Sequence, residues 1–250
     1  MSTPDPYAHT LLKYLKRKRS HRDFLYQEFN DRNHRNEMLY HIYRNENIQL
    51  SDGTSISAQD NARNIYSATF EWYVAQLIYR EFQFFASAFG VKIEGSPEGG
   101  DFDVIGATHS GIVAIECKSG KPRGIDEAQI QQFVKRHYFL RADYSILYID
   151  YKGLSENFPF IFLSQAVHGP GITGKVFKIV NKSDDNNANF YAVEGANIYV
   201  VDNSKSTGNV IKNLRFAIDT HFALQNADNR SKRFNPDILK NSYGLIIEAT

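Results

Sequence analysis

The sequence predicts an α/β protein with a mixed β-sheet flanked by helices. Apolar residues recur at helical spacing over residues 57–89, and residues 125–140 show a second amphipathic pattern of the same period. Two short apolar runs joined by a polar turn lie between these segments, and a compact apolar run at 144–150 follows the second one. Helices that alternate with strands in this way favour a layered arrangement in which helices cover a sheet.

The composition indicates a chain that can bury a core and has almost no overall charge. Of its 250 residues, 42% are hydrophobic and 14% are aromatic, and the formal net charge is +1. This balance excludes a protein that coats nucleic acid indiscriminately, so any nucleic-acid surface must be local. The single cysteine cannot form an intramolecular disulfide. No apolar run is long enough to span a membrane, and we therefore expect a cytoplasmic protein.

A predicted hairpin holds most of the ionisable residues that suggest chemistry. Its strands are Phe102–Ala107 and Ile112–Lys118, and residues 108–111 form the turn. Side chains two residues apart share one face of a strand. Glu116 and Lys118 therefore project together, and the residue between them points to the other face.

Two carboxylates, Asp103 and Glu116, are predicted to face each other across this hairpin. A symmetric turn places them in directly paired positions, where Cβ atoms lie roughly 4.5–5.5 Å apart. The two charges repel, burial raises the cost, and a divalent cation removes the conflict. Mg²⁺ is commonly bound by one or two carboxylates together with water and phosphate oxygens. With Lys118 beside the cation, the hairpin suits metal-assisted phosphodiester hydrolysis.

The sequence Asp103, an apolar strand and then Glu116-Cys117-Lys118 resembles the core of the PD-(D/E)xK, or restriction-endonuclease-like, nuclease superfamily. Gly99-Gly100 before the hairpin and Ser119-Gly120 after it add to the resemblance, which covers residues 67–150. Related arrangements occur in Mrr-like restriction nucleases and in CRISPR-associated ancillary nucleases.

The resemblance implies a restriction-endonuclease-like α-β-β-β-α-β core, in which residues 91–94 supply the short first strand. We assign this core to residues 58–153, after an N-terminal helical extension, residues 1–57, that is partly basic. Residues 154–250 are expected to form a C-terminal α+β extension packed on the core. The patterns in the two extensions predict a helix at 7–19, strands at 160–163, 175–180, 190–193, 198–202 and 243–248, and a helix at 208–226.

The resemblance also implies roles for the hairpin residues. Asp103 and Glu116 would bind Mg²⁺, for which Mn²⁺ would substitute, and the backbone carbonyl of Cys117 would be a further ligand. Lys118 would position or deprotonate the attacking water. Lys118 could act as a base at neutral pH only if its pKa were lowered. Two neighbouring carboxylates raise that pKa, so an electrostatic role for Lys118 is favoured.

Two acids on the helix before the hairpin are candidates for a further metal contact. Phe70-Glu71 resembles the Phe-Glu pair that many members of the superfamily have on this helix, and Glu71 is preferred for that reason. Glu81 falls near the centre of the apolar stripe, where an unpaired carboxylate is expensive. It therefore needs a partner, a bend in the helix or a place at the metal.

Four residues after the hairpin are candidate substrate contacts. Lys121 and Arg123 lie in the loop that leaves the second strand, which would either face phosphates or be an ordinary solvated loop. Gln129 and Gln131 lie on the following helix, where several nucleases of the superfamily place a glutamine near the substrate. A satisfied surface glutamine is the alternative for both.

The favoured function is a Mg²⁺-dependent endonuclease that hydrolyses phosphodiester bonds in DNA, with duplex DNA preferred and restriction or another antiphage defence as the context. Cutting both strands needs two sites, so a homodimer is expected. The competing hypothesis is a non-catalytic nucleic-acid-binding or assembly protein on the same scaffold. Repair, junction resolution and RNA cleavage stay open, as does the need for an activator or a partner protein.

Overall fold

The structure is a computed structural model that describes residues 7–13, 19–57, 62–96, 101–109, 111–119, 126–150, 175–180, 188–203, 209–227 and 246–249. Every statement below concerns these residues. The described residues do not include Lys121, Arg123 or the pair Gly99-Gly100. Of the pair Ser119-Gly120, only Ser119 is described.

The described helices are one short 3₁₀ helix and five α-helices. They are the 3₁₀ helix Leu11–Lys13, α1 (Arg19–Asn30), α2 (Arg32–Tyr43), α3 (Ala62–Glu81), α4 (Glu127–Leu140) and α5 (Val210–Ala227). Aspartate side chains cap α2 and α4, since Asp31 accepts from the Asn33 amide at 2.7 Å and Asp126 from the Gln129 amide at 2.9 Å. The helix that is predicted at 125–140 is thereby confirmed.

Ten strands form two separate sheets within the described ranges. They are β1 (Ile48–Gln49), β2 (Ser55–Ile56), β3 (Ala86–Val91), β4 (Phe102–Ala107), β5 (Ile112–Lys118), β6 (Tyr144–Ile149), β7 (Val176–Val180), β8 (Asn189–Val193), β9 (Ile198–Asp202) and β10 (Ile246–Ala249). β1 and β2 form a small antiparallel ribbon, and the other strands form one sheet in the order β10-β7-β8-β9-β6-β5-β4-β3.

The large sheet is mixed, as predicted. β3, β4 and β5 form an antiparallel meander, β5 pairs in parallel with β6, and β6 pairs in parallel with β9. β9, β8, β7 and β10 continue with antiparallel pairing. Helix α3, strands β3 to β5, helix α4 and strand β6 follow the predicted α-β-β-β-α-β order. The α/β class with helices on a mixed sheet is confirmed.

Each face of the sheet is covered by its own helices. The larger core cluster joins α1, α2, α3 and α5 to one face, where Ile115, Cys117 and Tyr148 point. The smaller cluster joins α4 to the other face, where Leu147 and Ile149 point. Of the helices in the described ranges, none has the length and apolar character needed to cross a membrane.

The predicted helix at residues 57–89 is wrong at its C-terminal end. Helix α3 ends at Glu81, Gln83 has a left-handed backbone with φ of 56°, and the chain then enters β3. Phe84 and Phe85, which fit the helical stripe, belong instead to this turn. The first strand of the meander is therefore β3 rather than residues 91–94. The hydrogen bonds between β3 and β4 satisfy the backbone N–H and C=O groups of β3. This pairing outweighs the helical period of the apolar side chains in the same segment.

The predicted helix at residues 7–19 is also wrong over residues 7–13, the part that the structure describes before α1. A 3₁₀ turn forms at Leu11–Lys13, residues 14–18 lie outside the described ranges, and α1 starts at Arg19. Leu11 and Leu12 are fully buried, and the amide of Leu11 donates to Thr69 Oγ1 of α3 at 2.9 Å. This anchoring contact comes from a distant segment, so the local pattern could not reveal it.

The C-terminal predictions agree in kind with the structure over the described residues, and the predicted strand at 160–163 lies outside them. The predicted strands at 175–180, 190–193, 198–202 and 243–248 correspond to β7, β8, β9 and β10, and the predicted helix at 208–226 corresponds to α5. The four strands extend the same sheet, because β9 pairs directly with β6. The proposed division into a core and two extensions stays a prediction.

A buried polar cluster joins three parts of the chain at the carboxyl ends of β6 and β9. Arg35 of α2 is 1% exposed and donates from Nε to Asp150 Oδ2 at 2.9 Å. Asn203 donates to Asp150 Oδ1 at 2.6 Å, and Asn213 of α5 donates to Asn203 Oδ1 at 2.9 Å. A buried charge pair needs such supporting hydrogen bonds, because desolvation offsets most of its Coulomb energy.

We expect Asp150→Ala to lower the free energy of unfolding by about 3–5 kcal/mol, because it leaves the Arg35 guanidinium buried without its charge partner. Denaturant unfolding followed by circular dichroism measures the change. Glu46→Ala is the matched control, since it removes the exposed Arg44–Glu46 pair and should leave the midpoint unchanged. Equal midpoints for Asp150→Ala and Glu46→Ala would contradict the assignment.

Candidate active site

The predicted register of the hairpin is confirmed where the two strands pair. Val104 lies opposite Ile115 and Ala107 opposite Ile112. Thr108 closes the turn by donating its amide to the carbonyl of Gly111 at 2.8 Å. Extending the same register by one residue puts Asp103 opposite Glu116.

The backbone ladder between β4 and β5 ends at Val104 and Ile115, one residue before the two acids. Beyond that point a side chain replaces the backbone partner, since the Cys117 amide donates to Asp103 Oδ2 at 2.8 Å. A strand residue directs its N–H and C=O to the same side. The carbonyl of Cys117 therefore also projects toward Asp103, at the point where the two strands part.

Glu116 is buried between two cations. The side chain is 9% exposed, its Oε1 accepts from Lys118 Nζ at 2.8 Å, and its Oε2 accepts from Arg136 Nη1 at 3.1 Å. Glu116 and Lys118 pair with Leu147 and Ile149 of β6 and so lie on the face that α4 covers. The guanidinium of Arg136 comes from α4, which explains how a carboxylate is accommodated inside the protein.

Glu71 of α3 lies in the electrostatic neighbourhood of the hairpin acids. Burial, together with the nearby charges of Asp103, Asp101 and Glu116, raises its pKa to about 9, and the Lys118 ammonium opposes part of this increase. One helical turn earlier, Ser67 Oγ lies 3.2 Å from Ser119 Oγ, directly after β5. This side of α3 therefore faces the carboxyl end of β5.

Glu81, the alternative acid on the same helix, is placed elsewhere. It is the last residue of α3, is exposed, and accepts a hydrogen bond from Tyr26 at 3.3 Å. The question of which acid approaches the hairpin is thus answered by position along the helix. A metal contact by Glu71 stays a prediction.

The acids at the hairpin oppose one another's ionisation. Burial and the nearby charge of Glu116 together raise the pKa of Asp103 to about 7, against the lowering effect of the Lys118 charge and of the hydrogen bond from the Cys117 amide. Burial lowers the pKa of Lys118, but the carboxylates of Glu116 and Asp103 outweigh it and leave that pKa above its ordinary value. Lys118 is therefore an ammonium at neutral pH, which agrees with an electrostatic role.

The donor atoms suit a hard divalent cation, although they do not form a complete cage. Asp103, Glu116 and the carbonyl of Cys117 are oxygen ligands of the kind that Mg²⁺ takes together with water. Within the part of the chain that the structure describes, no group of three or more His, Cys, Asp or Glu side chains is arranged to hold a metal ion. A cation here would therefore depend on water or substrate oxygens for much of its coordination.

The two candidate glutamines of α4 differ in their surroundings. Gln131 donates to Glu127 Oε1 at 2.8 Å, which makes it part of an exposed pair along the helix. Gln129 is half-buried, and its Oε1 has no hydrogen-bond partner among the described residues. Gln129 lies seven residues before Arg136, on the same side of the helix, so it shares a side with the residue that reaches Glu116.

Arg136 was not predicted to belong to the site. The signal was present in the sequence, because Arg136 follows Phe133 by three residues and so falls beside the apolar face of α4. A cation at that position needs a buried acid, and Glu116 is that acid. Only the packing of α4 on β5 shows which acid it is.

Comparisons with protein-family models, with curated proteins and with solved structures found no match for this chain. The chemistry of the site therefore has to be argued from its own geometry and from the sequence resemblance.

Cys117 provides a direct test of the packing around the site. The thiol is buried and burial raises its pKa, so little reactive thiolate is available. We expect Ellman's reagent to label the native protein at least about tenfold more slowly than the protein in denaturant, because labelling requires opening of the fold. An exposed control thiol, Glu37→Cys in a Cys117→Ser background, should react at similar rates in both conditions. Fast labelling of native Cys117 would show that β5 is not packed as described.

Proposed function

We propose that the protein is a metal-dependent endonuclease of the PD-(D/E)xK superfamily that hydrolyses phosphodiester bonds in DNA. The observation that supports this most directly is the grouping of Asp103, Glu116 and Lys118 where β4 and β5 part. The order of helices and strands around the hairpin adds support, because it is the order that the resemblance implies.

Asp103 and Glu116 would hold Mg²⁺, with Mn²⁺ as a substitute, and the carbonyl of Cys117 would supply a third oxygen. Glu71 would bind or orient the ion from α3. When bound, the ion would polarise the phosphate and lower the pKa of a bound water.

Lys118 would stabilise negative charge on the phosphate. Its side chain is 23% exposed and its ammonium lies in an ion pair with Glu116, so Lys118 is held at the site yet is partly accessible from solvent. Preorganised donors of this kind act where charge develops in the transition state. The ammonium would donate to phosphate oxygens and to the attacking water.

Duplex DNA is the proposed substrate, and restriction or another antiphage defence is the proposed context. The described residues form one such site in each chain, so cutting both strands would require a homodimer. Cleavage of RNA is an alternative that the substrate experiment separates, and repair, junction resolution and a requirement for an activator are further alternatives.

We expect Asp103→Ala, Glu116→Ala and Lys118→Ala each to reduce cleavage by about 10²-fold or more, since each removes a group that would act on the phosphate or its metal. Plasmid, linear duplex, single-stranded DNA and RNA are incubated with Mg²⁺, Mn²⁺ or EDTA, and the products are separated on gels.

Glu37→Ala and Lys135→Ala are the matched controls, because each removes an exposed charge of the same sign from a helix outside the hairpin. Both should cleave at the wild-type rate. Slow labelling of Cys117 shows that each variant is folded. Full activity in any of the three site variants would contradict the role assigned to that residue.

The alternative is a non-catalytic nucleic-acid-binding or assembly protein on this scaffold, and one observation favours it. Both oxygens of Glu116 are already paired with cations, so the site as described has part of its charge balanced without a metal. A protein of this class would bind nucleic acid with an affinity that falls as salt is added. It would not require a divalent ion.

Metal binding separates the two classes. We expect millimolar Mn²⁺ at neutral pH to raise the melting temperature of the wild type, because an ion that binds only the folded state stabilises it. The shift should vanish in Glu116→Ala and persist in Glu37→Ala. No shift in the wild type, together with salt-sensitive binding of nucleic acid, would favour the non-catalytic protein.

A further inference from the structure

Arg136 and Lys118 hold Glu116 in different ways. Arg136 is almost fully buried, with 8% of its side chain exposed, and its guanidinium lies 5.4 Å from the centre of the Phe102 ring. Phe102 in turn stacks on Phe139 of α4, with ring centres 6.4 Å apart. The guanidinium is therefore confined by burial and by the Phe102 ring, whereas the Lys118 side chain is partly in solvent.

The two oxygens of Glu116 are divided between these cations. Oε2 accepts from Arg136 and Oε1 accepts from Lys118. A charge-assisted hydrogen bond from a confined guanidinium keeps that oxygen in place when the partner of the other oxygen moves. Oε1 is thus the oxygen that becomes available when Lys118 turns toward a substrate.

We propose that Arg136 is a positioning residue that orients Glu116 so that its Oε1 meets the divalent ion. The inference rests on the proposed function, because it assumes that Glu116 is a metal ligand. Arg136 touches neither the metal nor the substrate, and it acts only through the carboxylate that it holds.

The proposal predicts a defect in metal affinity in addition to the loss of stability that removing a buried charge partner causes. Removing a hydrogen-bond partner of a metal ligand typically costs 10–100-fold in metal affinity. Arg136→Met keeps most of the side-chain volume and removes the donor, so we expect it to raise the Kd for Mn²⁺ by about 10–100-fold. Arg136→Lys keeps the charge without the planar fork and should give a smaller loss.

Binding of Mn²⁺ is measured without DNA, from the electron paramagnetic resonance signal of the free ion at a series of concentrations. The variants are Arg136→Met, Arg136→Lys and the matched control Lys135→Met, which removes an exposed cation from the same helix and should bind Mn²⁺ with wild-type affinity. In cleavage assays, the Mn²⁺ concentration that gives half-maximal rate should rise in Arg136→Met more than the maximal rate falls.

The outcomes distinguish this proposal from the proposed function. If the wild type and Glu116→Ala both fail to bind Mn²⁺, the proposed function fails. If the wild type binds and folded Arg136→Met binds equally well, the positioning role of Arg136 is wrong. A lower melting temperature in Arg136→Met without a change in Kd would also overturn it, since that result describes a structural residue.

Fast labelling of Cys117 would show that Arg136→Met does not fold. In that case the Mn²⁺ affinity of Arg136→Lys tests the proposal. An affinity below that of the wild type in this folded variant supports the positioning role. Wild-type affinity, together with an unchanged metal dependence of cleavage, rejects it.

Discussion

The parallel pairing of β5 with β6 is the contact on which the rest of the structure depends. It runs from Val113 opposite Tyr144 to Lys118 opposite Ile149, and it joins the β3-β4-β5 meander to the strands that follow residue 175. Parallel strands end at the same edge of a sheet, so the candidate site and the Arg35 cluster lie at neighbouring strand ends. The amide of Asp150 donates to the carbonyl of Lys118 at 2.8 Å, which connects the two directly.

The Arg35 cluster and the candidate site differ in how their buried carboxyl groups are paired. Asp150 is enclosed by Arg35 and Asn203, and each of its oxygens has a buried donor. At the hairpin, several acids share few cations, and the pKa values of Asp103 and Glu71 are raised to about 7 and about 9. The first arrangement gives each oxygen of Asp150 a hydrogen-bond donor, which is typical of a structural ion pair. The second holds acids whose pKa values are raised to neutrality or above, which is typical of a functional site.

Side-chain periodicity and turn residues were sufficient to predict the elements that no distant contact alters. The hairpin strands, their register and helix α4 follow from alternation, turn residues and helical spacing, and the structure agrees with all three. The end of α3 and the 3₁₀ turn at Leu11–Lys13 did not follow. In both places a contact from elsewhere in the chain, the β4 ladder or the hydroxyl of Thr69, outweighs the local helical period.

By itself, the sequence determined the α/β class, the order of elements around the hairpin and the side-by-side placement of Glu116 and Lys118. These follow from the fixed periods of the strand and the helix, which a single segment displays on its own. Only the tertiary structure decided that Glu71 rather than Glu81 approaches the hairpin and that Arg136 is the partner of Glu116. Those contacts join helices to strands far away in sequence. A buried charge takes as its partner whichever residue the packing brings within hydrogen-bond distance, and local periodicity does not encode that packing.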